Sequence, residues 1–245
     1  MVQMFGRHSR PRGRRTGGTL ACLLLCCLAA CTRATGVGDS FDPAAGPVLR
    51  ALQVADPGVF EAVIRNVSRT GDVTDDTVRL QAELRRQVVP AFIARASDDA
   101  VRDYVRVTIA ELKELRDASY FRCYTYLYGD PQDDEARYRL EATLSPATRA
   151  AGLEVMARLV ESAGSSHAPV DDTEAWRVLD NVVMPALPAW LGERKMVLRD
   201  PQSRDIDRVA TCEVSLAVYE AAVDLPSPDG LVVLRFMLSR AAALP

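Results

Sequence analysis

Beyond its leading segment the chain carries one histidine, His167, in the run Gly164-Ser165-Ser166-His167-Ala168-Pro169. Imidazole is a common general base and two serine hydroxyls stand beside it, so acyl transfer is the first chemistry to weigh. A serine nucleophile needs a strained turn that presents it and an oxyanion hole, and no Gly-x-Ser-x-Gly turn surrounds these serines. The run reads instead as an exposed loop between two helices. Zinc is unsupported, because one histidine and two distant cysteines give no ligand spacing. The acidic stretch Asp130-Pro131-Gln132-Asp133-Asp134-Glu135, with Glu141 further on, approaches a calcium loop superficially. Gln132 occupies the third position and Glu135 stands where the sixth requires glycine, so a linker or a helix start is expected. No catalytic residue, metal ligand or cofactor motif is assigned.

The acidic pairs Asp75-Asp76, Asp98-Asp99 and Asp171-Asp172 suit helix N-termini, where negative charge meets the positive end of the helix dipole. Paired carboxylates also cleave glycosidic bonds. A carboxylate-dependent glycan hydrolase therefore stays open as an alternative, provided two acids meet in one pocket. Tyr120, Phe121, Tyr124, Tyr126 and Tyr128 form the densest aromatic cluster. The four tyrosines are the binding candidates, since such side chains can line a groove. Filling the core beside Cys123, with one or two tyrosines exposed, is the expected arrangement.

Helical signals place these residues. Asp56-Pro57 supplies an N-cap and a first-turn proline ahead of Phe60, Val63, Ile64 and Val67. Leu80, Leu84 and Val88 form a second stripe that Pro90 is expected to kink or end. Ser97 caps the clearest helix, whose inward face is Val101, Tyr104, Val105, Thr108, Ile109, Leu112 and Leu115. Ser145-Pro146 opens a helix with Leu153, Met156, Ala157 and Val160 inward, stopping near Gly164. Trp176, Leu179, Val182 and Val183 follow the same spacing. Asp205 precedes a helix with Val209, Cys212, Leu216 and Tyr219, and Ser227-Pro228 opens a last one through Leu231, Leu234 and Leu238. The segment Tyr124–Tyr128 alternates like a strand, yet Cys123 and Leu127 are one helical turn apart, so helix is expected there, closed by Gly129.

The expected fold is all-α, an irregular bundle of about seven to nine helices spanning 43–245 as a single domain. A weak internal duplication is one reading of an echo in the sequence: Val88-Val89-Pro90-Ala91-Phe92 resembles Val183-Met184-Pro185-Ala186-Leu187, each followed by a cysteine-bearing segment. Chance similarity between alanine- and valine-rich helices is the preferred explanation of the echo.

The first 30 residues are of a different kind. Arg7, Arg10, Arg12, Arg14 and Arg15 precede an apolar run from Thr19 to Ala30, which ends at Leu28-Ala29-Ala30-Cys31. A basic start, a short apolar run and a small-residue site make an export signal, and the run is shorter than the roughly 20 residues of a membrane span. Leu28-Ala29-Ala30-Cys31 resembles the lipobox of bacterial lipoproteins. The resemblance covers residues 1–31 and implies that the signal peptide 1–30 is removed. It also implies that Cys31 becomes an acylated N-terminus, with diacylglycerol and palmitate-like chains, and that 31–42 is a tether. Thr32, rather than Asp, follows the cysteine. By resemblance this favours the outer membrane, facing the periplasm, over retention at the inner one.

Removing residues 1–30 takes away five of the 30 Lys+Arg and none of the 33 Asp+Glu, leaving a formal charge of −8. Such an acidic body argues against nucleic-acid partners. Cys123 and Cys212 remain. In an oxidising periplasm they either pair, closing a loop of about 90 residues, or stay as buried thiols; pairing is the expectation. The chain is thus expected to be a non-enzymatic lipoprotein, anchored to the membrane through Cys31, that binds a protein partner in the envelope. An assembly lipoprotein and the glycan hydrolase are the alternatives.

Overall fold

The computed structural model describes residues 41–67, 70–129, 133–164, 171–203 and 205–243. Cys31, the signal segment, most of the tether and His167 lie outside these. The described residues hold helices and no strand. After a 3-10 turn at Pro43–Ala45 come α1 (Gly46–Ala55), α2 (Pro57–Asn66), α3 (Val73–Phe92), α4 (Asp98–Ala118), α5 (Tyr120–Tyr128), α6 (Asp134–Thr143) and α7 (Pro146–Glu161). Then follow α8 (Asp172–Val178), a π-turn at Leu179–Val183, the single turn α9 (Met184–Ala186), a 3-10 segment at Ala189–Arg199, α10 (Arg208–Asp224) and α11 (Asp229–Ala243). Among the described residues none of these helices is long and apolar enough to cross a membrane.

Capping side chains start most of the helices. Asp56, Asp72, Ser97, Ser119, Asp133, Ser145, Asp171 and Asp207 each accept a hydrogen bond from a backbone N–H in the first turn of the helix that follows. Each satisfies donors that helix geometry leaves orphaned, a contribution of about 1 kcal/mol apiece. Helix ends are closed by long-range arginines. Arg102 on α4 donates to Val223 O and, at 2.8 Å, to Leu225 O at the end of α10. Arg235 on α11, buried, donates to Ile93 O and, at 2.8 Å, to Ala96 O beyond α3.

The packing has two hubs. Helix α7 lies against α1, α3 and α4, while α10 lies against α4, α5, α11 and the 3-10 segment. The expected inward face of α4 is buried at every position named, and so are Leu80, Leu84 and Val88. One apolar cluster runs from Phe41 to Leu238. Cys123 on α5 and Cys212 on α10 form a disulfide with Cα atoms 5.8 Å apart, both fully buried.

The structure corrects three expectations. It has eleven α-helices among the described residues rather than seven to nine. The added ones are α1, the polar α6 and the single turn α9. Pro90 does not end α3, which runs on to Phe92. A proline removes only its own bond to the carbonyl four residues back, and beyond it the Ile93 N–H still donates to Val89 O at 2.9 Å. Val209 is exposed, because it lies in the first turn of α10 at the edge of the core. The two proline segments of the sequence echo differ in setting: Pro90 lies inside a continuous helix, whereas Pro185 follows the π-turn.

Candidate functional site

Two constellations stand out, one inside the bundle and one on its surface. The inner one begins with helical spacing. Gln81 and Arg85 share a face of α3, and Tyr104, Thr108 and Glu111 share a face of α4. All five turn inward, where α5 adds Tyr126 and α6 adds Glu141. Arg85 is the centre. Its Nε donates to Glu141 Oε1 at 2.7 Å, one terminal nitrogen to Glu111 Oε1 at 2.7 Å, and the other to the Tyr104 hydroxyl at 2.9 Å. Tyr126 donates to Glu111 Oε2 at 2.5 Å. The guanidinium plane lies over the Tyr126 ring, 5.1 Å from its centroid.

Burial opposes charge on both Arg85 and Glu111. For Arg85 the two carboxylates outweigh it and hold the guanidinium well above its ordinary range. For Glu111 burial prevails over the attraction of Arg85, and the carboxyl is pushed up. Two acids share one guanidinium. The hydrogen bonding of the cluster is incomplete: Glu141 Oε2, Thr108 Oγ1 and both amide atoms of Gln81 are buried without a partner among the described residues.

Helix α7 crosses this cluster at Gly152. A Cβ there would lie 2.9 Å from Gln81 Nε2 and 3.0 Å from Glu111 Oε1. Close approach therefore explains a glycine inside a sixteen-residue helix. We expect Gly152→Ala to lower the melting temperature. Overpacking costs about 1–3 kcal/mol, against the roughly 1 kcal/mol that alanine gains over glycine in a helix. Thermal unfolding checks it, and a raised melting temperature would show that the cluster yields.

Beside Arg85 opens a cavity of about 130 Å³ between α3, α5 and α6, with α4, α10 and α11 also contributing to its wall. Its walls are mostly apolar, from Ala82, Val89, Pro90, Leu127, Leu140 and Leu238, with Tyr104, Tyr126 and Tyr219 among them. Arg85, Arg86, Arg137, Thr108 and Glu141 also line it, whereas Glu111 does not.

The surface constellation includes part of the tyrosine cluster. Helix α5 divides that cluster between its two sides. Tyr126 turns to the cavity, and the Tyr128 hydroxyl is 2.9 Å from Ser215 Oγ on α10. Tyr124 is half-buried and donates to Pro201 O at 3.1 Å. Tyr120 is 38 % and Phe121 56 % exposed. Arg208 lies over the rings of Phe121 and Tyr124, at 5.2 and 5.4 Å. Tyr120 donates to Glu213 Oε1 at 3.2 Å, and Arg194 pairs with the other oxygen of Glu213 at 3.0 Å. Trp190 and Met196 stand exposed on the 3-10 segment that carries Arg194. Aromatic side chains and arginine on one face are what protein interfaces are enriched in.

The acidic pairs lie at helix starts. Asp75 and Asp76 fall in the first turn of α3, Asp98 and Asp99 in that of α4, and Asp171 caps α8 with Asp172 following. The acids that do meet, Glu111 and Glu141, come from separate helices, and both oxygens of Glu111 are taken by Arg85 and Tyr126. Among the described residues no group of three or more histidine, cysteine, aspartate or glutamate side chains could hold a metal ion. The sequence reading missed Arg85, Glu111 and Gln81. The one local signal was a polar face on α4, where Tyr104, Thr108 and Glu111 recur at helical spacing inside an apolar stripe.

No protein-family model matches the chain, and neither the curated proteins nor the solved structures include a significant match to it.

Proposed function

We propose that this chain is a lipid-anchored protein of the bacterial envelope that binds another envelope protein without turning over a substrate. Cys31 holds it at the outer membrane, facing the periplasm. The export signal and lipobox resemblance of residues 7–31 support the location, and the Cys123–Cys212 bond suits an oxidising compartment. The binding half is carried by one observation: Tyr120 and Phe121 are exposed on α5, with Arg208 over the Phe121 ring. Exposed aromatics beside arginine make up the residue types that dominate binding energy at protein interfaces.

Site-specific photo-crosslinking in intact cells tests this. A photoreactive residue in place of Phe121 is expected to capture one recurrent envelope protein, and Arg208→Ala to reduce that yield about tenfold or more. The same residue in place of Val54, 86 % exposed on α1, is the control and should capture none. Equal capture of many proteins from both positions would contradict the proposal.

A further inference from the structure

We infer that the corner between α1 and α2 rests on the phospholipid bilayer to which Cys31 anchors the chain. The inference rests on the proposed lipid anchor and adds a second contact, which orients the body at the membrane. The first support is exposed apolar surface. Val54 is 86 % exposed near the end of α1, and Ala55, Pro57 and Gly58 beside it are exposed as well. On α2 only Val63 is buried, while Val59, Phe60 and Ile64 are partly covered by the core. Isolated exposed valines are ordinary, but here the uncovered apolar residues run from α1 through the turn into α2. An amphipathic helix with such a face lies in the interface of a bilayer.

The second support is charge. The mature chain has a formal charge of −8, whereas in residues 43–67 Arg50 and Arg65 balance Asp56 and Glu61. Anionic lipid repels an acidic body but not this neutral segment. The Asp56 carboxylate is turned to α2, accepting from the Val59 N–H at 3.1 Å. Arg50 is exposed and shares a face of α1 with Val54, one turn away. Its guanidinium suits a lipid phosphate at headgroup depth, with Val54 entering the apolar layer. The third support is reach. Ten residues separate Cys31 from Phe41, so acyl chains on Cys31 hold Phe41 within about 35 Å of the bilayer surface. Helix α1 adds only about 15 Å to that. The contact is therefore intramolecular with the anchor, and a weak apolar attraction suffices. Helix α1 packs on α7 and α2, and α2 on α3, whereas α5 packs on α4, α6 and α10. The bilayer contact and the partner face of α5 thus belong to different helices.

The mature chain, purified from membranes and reconstituted in vesicles of phosphatidylethanolamine and phosphatidylglycerol, tests this. A photoreactive residue in place of Val54 is expected to gain a phospholipid adduct, read by mass on its peptide. The yield should be about tenfold that of the same residue in place of Phe121, the weight of one valine-sized side chain in apolar surroundings. With the photoreactive residue moved to Ala55, Val54→Glu should cut the lipid yield by a similar factor. Val54 lies on the surface, so the charge leaves the fold intact. Lipid adducts absent at 54, equal at 54 and 121, or replaced by crosslinks to a second copy of the chain would each overturn the inference. The mass of the Cys31 peptide in the same digest separates the two readings. An acylated Cys31 with no adduct at 54 overturns this contact alone, and an unacylated Cys31 overturns both.

Discussion

Replacing Arg85 with methionine is expected to remove about 3–5 kcal/mol of stability, the usual loss when one member of a buried ion pair is deleted. Two carboxylates would be left facing each other in the bundle, Glu111 fully buried and Glu141 nearly so. The Tyr104 hydroxyl would lose its donor as well. A folded domain has only about 5–15 kcal/mol in total, so the single variant should unfold at a much lower urea concentration. The charge itself is the cause. Combining Arg85→Met with Glu111→Gln and Glu141→Leu should therefore recover most of the loss, since a buried ionic cluster replaced by groups of similar volume is often neutral or stabilising. Glutamine at 111 keeps an acceptor for Tyr126. Urea titrations of the two variants check this. If Arg85→Met lies within about 1 kcal/mol of the parent, the cluster is not ionic in the way described.

The second large effect belongs to the disulfide. Cys123 and Cys212 are 89 residues apart in sequence. Closing a loop of that length restricts the unfolded chain by about 4–5 kcal/mol in the chain-entropy model. Changing both cysteines to alanine should lower the urea midpoint by a corresponding amount. Reductant should have the same effect only slowly, because both sulfurs are fully buried and the helices must open first. Urea curves with and without reductant, alongside the double alanine variant, measure it. Unchanged midpoints in both would contradict the expected stabilisation.

Why some of this could be read from the sequence and some could not follows from range. Helix α4 was legible throughout: Ser97 caps it, and the apolar positions recur every three or four residues up to Leu115. Each clue lies within a turn or two of the next. Helix α6 was legible only at its start, where Asp133 caps it in the acidic stretch, because seven of its ten residues are polar or charged and Leu140 is its main buried apolar anchor. What orders α6 is distant, namely its packing on α3 and the Arg85–Glu141 pair, whose residues are 56 apart. The inner cluster failed to appear for the same reason: it draws on α3, α4, α5 and α6, and no local pattern links them. The tyrosines were legible as a group but not in their division, because a helix sends neighbours in different directions. Tyr120 and Phe121 face outward, whereas Tyr126 turns to the cavity. The paired aspartates were read correctly as helix starts, since a cap is a property of adjacent residues.

The anchor at Cys31 underlies the proposed location, and the mass of the mature N-terminal peptide tests it most directly. The protein taken from cell membranes is expected to begin at Cys31 and to carry a diacylglycerol and an amide-linked acyl chain, and Cys31→Ser is expected to abolish both the processing and the added mass. An N-terminus elsewhere, or an unmodified Cys31 in protein recovered from the membrane fraction, would contradict it.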